Sequence, residues 1–291
     1  MLHFASVPRR ACLSFRRNTC VETAAKARRM ANSRFEYVKD YELPDPLLPG
    51  CWIVVRVDGK GFTRFSELHG FVKPNDKQAL DLMDECAKGV LAEFPDVRLG
   101  YGESDEYSFI IHKAAQLYGR RSSKITSLLT SCFTALYVRH WQTFFPDKPL
   151  QATPMFDGRA VCYPSDTALR DYLAWRQTDT HINNQYNTCF WALVQQGGCS
   201  PAAAQEALKG TDAAAKNELL YSRFGINYNE LPEQFKKGSV VLRQKQDVVA
   251  KEAGADGGAP VVRSRSVASV LHCDIIRDKP FWKEHAHLLA P

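Results

Sequence analysis

The sequence predicts an α/β core followed by a mostly helical region. Two observations support this fold class. Short apolar runs typical of strands alternate with helix-period segments up to residue 163, whereas the helical period dominates afterwards. Of the 291 residues, 45% are apolar, which is enough for one sizeable core or for a core with an extension. The formal charge of +6 fits a nucleic-acid partner and fits ordinary enzymes equally well.

The first strand and the first long helix open the core. Residues 52–57 form an apolar run that ends at Asp58-Gly59, which predicts a buried strand closed by a tight turn. After a loop, apolar residues recur at three- and four-residue steps, and Asn75 or Asp76 can cap the helix that they predict. This helix is expected to cover one face of a sheet.

An acidic hairpin follows. Residues 97–101 and 107–111 are short apolar segments on either side of Gly102-Glu103-Ser104-Asp105-Glu106, which is the pattern of a β-hairpin with an acidic tip. A second amphipathic helix is predicted over residues 122–145 and a further strand over residues 160–163. These elements complete the predicted α/β core.

The second half of the chain reads as helices up to about residue 224. Helices are predicted over residues 165–176, 181–196 and 212–224, with another opened by Ser200-Pro201. A Gly- and Ala-rich stretch then predicts a flexible linker. The predicted division is a basic leader at 1–29, a catalytic core at 30–163, a helical region with a returning strand at 164–250, a linker at 251–266 and a C-terminal segment at 267–291.

The leader has its own composition. Within residues 1–29 the seven Lys and Arg residues are offset by a single acid, Glu22. Two interpretations stay open: a mitochondrial transit peptide, which is typically Arg-rich and acid-poor, or a disordered basic tail. Met30 can serve as an alternative start, so cytoplasmic and mitochondrial forms are both expected. No apolar run approaches the roughly 20 residues that a membrane span needs.

Three carboxylates are the candidate catalytic residues. Asp58 ends the first strand, and Asp105 and Glu106 lie at the hairpin tip, which can lie beside that strand in one sheet. Oxygen ligands of this kind suit Mg²⁺, which binds through one or two carboxylates together with substrate phosphates, and two such ions can clamp a phosphoryl transfer. The alternative is that Asp58-Gly59 is only a turn, because this dipeptide ends many strands.

Residues around the carboxylates favour a phosphate-bearing substrate. The backbone N–H groups of residues 59–62 can approach a triphosphate, and Lys73, Asn75 and Asp76 lie at a helix start, where the dipole attracts anions. Each residue also has a plainer interpretation. Asn75 and Asp76 can act only as helix caps, and Lys73 can be an ordinary solvated cation.

Five separated motifs carry a resemblance to a known family. They are Val57-Asp58-Gly59-Lys60-Gly61-Phe62-Thr63-Arg64-Phe65, Lys73-Pro74-Asn75-Asp76, Tyr101-Gly102-Glu103-Ser104-Asp105-Glu106-Tyr107-Ser108-Phe109, Phe156-Asp157-Gly158-Arg159 and His181-Ile182-Asn183-Asn184-Gln185-Tyr186-Asn187-Thr188. In order and spacing they resemble the motifs of tRNA-His guanylyltransferase. The likeness covers residues 30–246 and resumes at 271–284.

The resemblance implies a fold and a reaction. The catalytic core is expected to be polymerase-palm-like, with a ferredoxin-like βαββαβ order, and to add a guanylate to the 5′ end of histidine tRNA. In this family ATP adenylylates the 5′ phosphate, the 3′ hydroxyl of GTP then attacks and AMP leaves, and pyrophosphate is removed later. Two Mg²⁺ ions, GTP and ATP as substrates, and a homotetramer are expected by the same likeness.

The resemblance also implies roles for individual residues. Asp58 and Asp105 would bind both metal ions, Gly59 would contribute its carbonyl, and Glu106 would support them or bind directly. The nucleotide-binding set would be Asp58, Gly59, Lys60, Gly61, Phe62, Thr63, Ser104 and Asp105, with Lys73, Asn75 and Asp76 near a triphosphate. Thr63 stands where relatives commonly have a histidine, which removes any imidazole contact at that position.

The resemblance also implies that the helical half binds the substrate RNA. His181, Asn184, Asn187 and Lys216 fall in segments that the family uses to handle tRNA. From the residues alone, a hydrogen-bonded network between helices is the plainer interpretation. Two other functions remain open: a palm-type nucleotidyl cyclase or cyclic-dinucleotide synthase, and a non-catalytic tRNA-binding protein.

Overall fold

A six-stranded antiparallel sheet organises the computed structural model, which describes residues 33–251, 261–276 and 280–290. The strands are β1 Trp52–Gly59, β2 Val97–Glu103, β3 Glu106–Ile111, β4 Phe156–Tyr163, β5 Ser239–Lys251 and β6 Val261–Leu271. They lie in the order β4-β1-β3-β2-β5-β6. The chain divides into the units Met1–Pro44 and Asp45–Pro291, and all six strands belong to the second unit. The described part of the first unit contains a 3-10 turn, Glu36–Tyr41.

Helices cover both faces of the sheet. Alternation along β1 sends Ile53 and Val55 to one face and Trp52 and Val54 to the other, as the two-residue period of a strand requires. The helices are α1 Phe62–Leu68, α2 Lys77–Glu93, α3 Ser122–Phe144, α4 Asp166–Gln195, α5 Pro201–Leu208, α6 Ala213–Phe224, α7 Glu233–Lys237 and α8 Pro280–Glu284. The first three pack on the Ile53 face, and α4 and α8 pack on the Trp52 face. None of the helices in the described ranges is long and apolar enough to span a membrane.

The predicted core elements are confirmed with two differences: β4 begins at Phe156 and not at residue 160, and a helix follows β1 where a loop was predicted. Asp76, and not Asn75, caps α2, because its Oδ1 accepts a hydrogen bond from the Ala79 N–H at 3.1 Å. The segment after β1 was predicted as a loop but forms α1. Phe62 and Phe65 of this short helix are buried against Tyr137 of α3, so packing stabilises a helix that is too short to be recognised by its period.

The helical half differs from the prediction at α4. Separate helices over 165–176 and 181–196 were expected, whereas one continuous helix spans Asp166–Gln195. Polar side chains at the predicted break are buried and hydrogen-bonded: Gln177 Nε2 donates to the Lys237 and Cys273 carbonyls, and Thr180 shares a hydrogen bond with the Tyr101 hydroxyl. Polar residues with such partners fit a helix interior, so the interruption in the apolar pattern did not end the helix.

The linker prediction over 251–266 needs a correction. Lys251 ends β5, residues 261–266 form the first half of β6, and residues 252–260 lie outside the described ranges. The register pairs Lys245 with Ser266 and Gln246 with Arg265. The Gly- and Ala-rich composition did not reveal this strand because its hydrogen bonds come from β5, a partner that composition does not show.

Candidate active site

Four acidic residues form a row across the sheet, which we call the acidic row. Asp58 lies directly opposite Asp157 in the β1–β4 ladder and opposite Glu106 in the β1–β3 ladder, and Glu106 lies opposite Glu103 in the β2–β3 hairpin. Directly opposite residues project from the same face, so the four carboxylates share the α4 face of the sheet. Like charges at such spacing repel, and the site therefore needs cations.

The hairpin tip positions Asp105 beside the end of β1. The connection between β2 and β3 is Ser104-Asp105, and Ser104 has a φ of 49°, in the left-handed region that few side chains adopt. Ser104 Oγ donates to Asp105 Oδ1 at 3.1 Å. The Gly59 N–H donates to the Asp105 carbonyl at 3.0 Å, which ties the two motifs together. Asp58 and Asp105 consequently line one cavity of about 310 Å³.

Arg176 neutralises part of the acidic row, and sequence reasoning missed this residue. Its guanidinium lies 2.6 Å from Glu103 and 3.0 Å from Glu106, and Arg56 lies 3.5 Å from Glu106. A signal was present in the sequence: Arg176 continues the buried stripe of Leu169, Tyr172 and Leu173 on α4 at helical spacing. A charged residue inside such a stripe indicates a buried partner of opposite charge.

The three candidate catalytic carboxylates have different electrostatic surroundings. Burial raises the pKa of Glu106 to about 7, although Arg176 and Arg56 oppose the rise. Burial also raises the pKa of Asp105, and the nearby negative charges of Asp58 and Glu103 raise it further. Over the described ranges, no hydrogen bond or ion pair reaches the carboxylate of Asp58. A cation placed between Asp58 and Asp105 would relieve this concentration of negative charge.

The carboxylates fit a magnesium ion that also uses substrate oxygens. No group of three or more His, Cys, Asp or Glu side chains is arranged to hold a metal in the part of the chain that the structure describes. Mg²⁺ rarely requires such a cage, since one or two carboxylates with phosphates and water suffice. Asp58 and Asp105 supply that number of oxygen ligands at the rim of one cavity.

A second cavity, of about 400 Å³, adjoins the hairpin tip and is lined by Ser104 and Asp105 on that side. Its other walls include the cation Lys73 and the aromatic rings of α4, namely Tyr186, Phe190 and Trp191. Lys73 Nζ donates to Ser66 Oγ at 2.8 Å and lies 5.8 Å from the Trp191 ring centroid. A cation and aromatic faces beside a carboxylate site match the phosphates and the base of a nucleotide.

Two glycines allow the turn between β1 and α1. A Cβ at Gly59 would collide with the Phe62 ring, and Gly61 adopts a φ of 68° at the N-cap of α1. Thr63 is exposed and lines the second cavity, whereas Lys60 is exposed and its main-chain N–H donates to the Met155 carbonyl at 2.8 Å. The turn therefore presents Thr63 toward the cavity in which the nucleotide was predicted.

Asn75 and Asp76, the two predicted residues at the start of α2, have different surroundings. Asn75 lines both cavities and accepts a hydrogen bond from Asn184 Nδ2 at 3.1 Å. Both carboxylate oxygens of Asp76 accept main-chain N–H groups, from Ala79 at 3.1 Å and from Val72 at 3.0 Å. The local role of Asp76 is thus capping, and its contact with a triphosphate stays a prediction.

Comparison with known proteins identifies the family. A family model described as tRNAHis guanylyltransferase matches residues 35–164, and one described as Thg1 C terminal domain matches residues 167–277. The chain is 52% identical to the tRNA(His) guanylyltransferase of Neurospora crassa over 284 residues, covering 90% of this chain and 97% of that protein. The chain belongs to the tRNAHis guanylyltransferase family. A probable tRNA(His) guanylyltransferase of Homo sapiens is 50% identical over 89% of each chain.

Solved structures of tRNAHis guanylyltransferases share the fold. The crystal structure of the Saccharomyces cerevisiae enzyme superimposes with a TM-score of 0.70 at 44% identity and covers 80% of this chain and 96% of that chain. A bacterial tRNAHis guanylyltransferase-like protein in complex with ATP has a TM-score of 0.63 at 23% identity and covers 88% of this chain and 96% of its own. The sequence-based identification of the family is confirmed.

The residues that the resemblance assigns to tRNA binding differ from one another in burial and in hydrogen bonding. Asn184 is buried and bonded to Asn75 and to the Tyr228 hydroxyl, which is the predicted interhelical network. Asn187 is exposed and lines both cavities, and His181 is exposed with its ring centroid 5.4 Å from that of Tyr228. Lys216 Nζ donates to the Thr211 carbonyl at 2.7 Å, so part of its hydrogen-bonding capacity serves the start of α6.

Proposed function

We propose that this chain adds a guanylate to the 5′ end of histidine tRNA after ATP-dependent activation of the 5′ phosphate. The main support is that the hairpin tip, Ser104-Asp105, lines two adjacent cavities, one bounded by three residues of the acidic row and one by a cation and aromatic rings. Carboxylates suited to metal-assisted phosphoryl transfer and a surface suited to a nucleotide thus meet at one point of the molecule.

The proposed reaction has two transfer steps, each with its own leaving group. An oxygen of the tRNA 5′ phosphate attacks the α-phosphorus of ATP, and pyrophosphate leaves with the bonding electron pair. The 3′ hydroxyl of GTP then attacks the tRNA 5′ phosphorus, loses its proton, and AMP leaves. Water finally attacks the α-phosphorus of the added residue's triphosphate, which releases pyrophosphate and leaves a 5′ monophosphate.

Asp58, Asp105 and the Gly59 carbonyl would hold two Mg²⁺ ions, which supply charge neutralisation for the attacking and leaving oxygens. Glu106 would support these ligands while it stays ion-paired with Arg176 and Arg56. The buried pairs keep Glu106 in place and leave Asp58 free of protein cations. This division of roles explains why one carboxylate of the row has arginine partners and its neighbour has none.

The chain's other residues bind and orient the nucleotide. Lys73 faces the cavity from the loop before α2, held by Ser66, and is placed to contact a phosphate. Thr63 offers a hydroxyl where relatives commonly have an imidazole, and Tyr186 and Trp191 offer faces for a base. Lys60, Gly61 and Phe62 form the turn that brings Thr63 to this position.

We further propose that the core is polymerase-palm-like. The order β4-β1-β3-β2, with antiparallel neighbours and with α2 and α3 as the crossover helices, has the interleaved βαββαβ pattern of ferredoxin-like cores. Asp58 and Glu106 of the acidic row lie at the ends of its two central strands, β1 and β3.

One assay separates the three functions that the sequence left open. The protein is incubated with labelled GTP, ATP, Mg²⁺ and histidine tRNA that lacks its extra 5′ guanosine. Label in the tRNA supports guanylate addition, label in a cyclic product would support a cyclase, and tRNA binding without any labelled product would support a non-catalytic protein. Packing of α5 and α6 on the second half of α4 gives a helical region that a cyclase does not require.

The homotetramer and the two locations also remain proposals. Light scattering on the purified protein measures the subunit number directly. Deletion of residues 1–29, which lie outside the described ranges, is expected to leave activity in vitro unchanged and to abolish mitochondrial import of a tagged protein. Loss of activity in the truncated protein would make the leader part of the enzyme.

A further inference from the structure

A third cavity, lined by cationic side chains, lies at the opposite end of the sheet from the acidic row. It has a volume of about 990 Å³, and we call it the distal basic cavity. Arg98 on β2, His112 just after β3, and Arg243 and Lys245 on β5 line it. Arg98 and Glu103 lie on the same strand, so roughly 17 Å of extended chain separates the cavity from the acidic row.

The charge of the distal basic cavity is poorly compensated. Among the described residues that line it, Asp96 is the one acid, against Arg98, Arg243 and Lys245. In the described ranges the Arg98 side chain makes no hydrogen bond or ion pair. Arg243 donates to the carbonyls of Val97 at 2.7 Å and Phe94 at 3.0 Å, but these neutral acceptors leave its charge in place. A cavity with low-dielectric walls focuses such a field and attracts anions.

His112 lines the same cavity but adds no charge to it. Its side chain is 4% exposed, and its Nδ1 accepts a hydrogen bond from the Ala114 N–H at 3.1 Å, which places the proton of the neutral ring on Nε2. Nε2 is buried beside the main chain of Leu289 and is not open to a ligand. Burial and the charges of Arg98 and Lys113 lower the pKa of His112, so the ring stays neutral and the positive charge of the cavity rests on its arginine and lysine side chains.

We propose that the distal basic cavity binds a backbone phosphate of RNA, with Arg98 as the charged contact. The RNA part rests on the proposed tRNA substrate. Backbone binding is favoured over a free nucleotide because no Phe, Tyr or Trp is among the described residues that line this cavity, whereas Tyr186, Phe190 and Trp191 of α4 line the cavity beside Asp105. An RNA as large as a tRNA, bound at the acidic row, is long enough for another part of its backbone to contact the distal basic cavity.

The test compares charge reversals of equal size. Arg98→Glu and Lys245→Glu alter the cavity, and Arg139→Glu on the exposed face of α3 is the matched control. Affinity for histidine tRNA is measured by fluorescence anisotropy in a KCl series, and GTP affinity is measured beside it. We expect Arg98→Glu to weaken tRNA binding about tenfold or more relative to the control, and to reduce the slope of log K against log[KCl] by about 0.9 for each lost contact.

Each result decides the proposal. Equal tRNA affinities for Arg98→Glu and Arg139→Glu would overturn it. Pyrophosphate or inorganic phosphate that shifts the His112 ring resonances, with tRNA affinity unchanged in both cavity variants, would replace RNA by a small phosphate. If Arg98→Glu binds GTP poorly or unfolds, the tRNA affinity of the exposed Lys245→Glu variant is compared with that of Arg139→Glu instead. RNA binding that depends on Arg98 in a protein without transferase activity would sustain this inference while removing the proposed function.

Discussion

Asp58 and Glu106 lie directly opposite each other across the β1–β3 ladder, yet Glu106 has Arg176 at 3.0 Å and Arg56 at 3.5 Å while Asp58 has no cation among the described residues. The two carboxylates therefore have different electrostatic surroundings although they are neighbours. Glu106 is compensated by the protein, and Asp58 is left to be compensated by a ligand.

The first prediction concerns the proposed metal ligands. Asp58→Ala or Asp105→Ala is expected to abolish guanylate transfer without lowering the thermal unfolding temperature, because each removes a carboxylate that gains no stabilisation from a protein cation. The measurement is single-turnover transfer with Mg²⁺, with melting curves alongside. Asp147→Ala, an exposed loop variant, is the control. Near wild-type transfer by either site variant would contradict the metal assignment.

The second prediction concerns Arg176. Arg176→Met leaves Glu103 and Glu106 buried without their main cation, so the free energy of unfolding is expected to fall by about 3 to 5 kcal/mol. The pKa of Glu106, about 7 in the wild type, is expected to rise further, because the attraction that opposes burial is lost. Urea unfolding and a carboxyl NMR titration measure both effects.

Two comparisons make the Arg176 result specific. Arg176→Lys keeps the charge and is expected to recover most of the Glu106 titration, while Arg139→Met removes an exposed arginine and is expected to change neither quantity. Wild-type stability with an unchanged Glu106 pKa in Arg176→Met would show that these ion pairs are unimportant.

The third prediction is a pH dependence from Asp84, a buried carboxylate that accepts hydrogen bonds from Tyr107 at 2.8 Å, Ser239 at 2.9 Å and Gln234 at 3.0 Å. Burial raises its pKa above the ordinary 3.8 despite these donors. The folded state then holds the proton more tightly than the unfolded state. Its contribution to stability is present below pH 3.8 and is lost as the pH rises through the folded pKa.

Urea unfolding of the wild type and of Asp84→Asn between about pH 3.5 and 6 measures this effect. The wild type is expected to lose stability relative to the variant as the pH rises, by at most about 1.4 kcal/mol per pH unit. Asp147→Asn is the control for an exposed carboxyl. A stability difference that stays constant or grows with pH would refute the assigned direction.

The fourth prediction separates tRNA handling from nucleotide binding. His181→Ala and Lys216→Ala are expected to weaken tRNA binding by on the order of 1.5 to 3 kcal/mol through lost charged or imidazole contacts, with GTP affinity nearly unchanged. Both titrations are performed at one salt concentration. Lys216→Ala also loses its bond to the Thr211 carbonyl, so its melting temperature is checked.

The result for these two residues distinguishes three roles. Weakened GTP binding would move them into the active site. Unchanged tRNA affinity together with an unchanged rate on pre-adenylylated tRNA would confine them to packing or to the activation step. Asn187→Ala is a useful companion, since Asn187 is exposed and lines both cavities beside the acidic row.

The local elements of this protein can be predicted from its amino-acid sequence. The apolar run before Asp58, the acidic hairpin tip and the cap at the start of α2 depend on residues close together in the chain, whose periods and turn preferences can be read directly. The same motifs carried the family resemblance, which the comparisons confirmed. Asp58, Asp105 and Glu106 are therefore candidates that the amino-acid sequence alone is sufficient to name.

The way in which these elements come together depends on contacts between residues far apart in the chain. The strand order brings Asp157 and Glu103 into the row with Asp58 and Glu106, and α4 places Arg176 over it. The continuous α4 and the strand β6 also depend on distant partners. The physical reason is common to all of them: a buried charge, a buried polar side chain and a strand edge are each stabilised by a group far away in sequence, and no local period encodes which group that is.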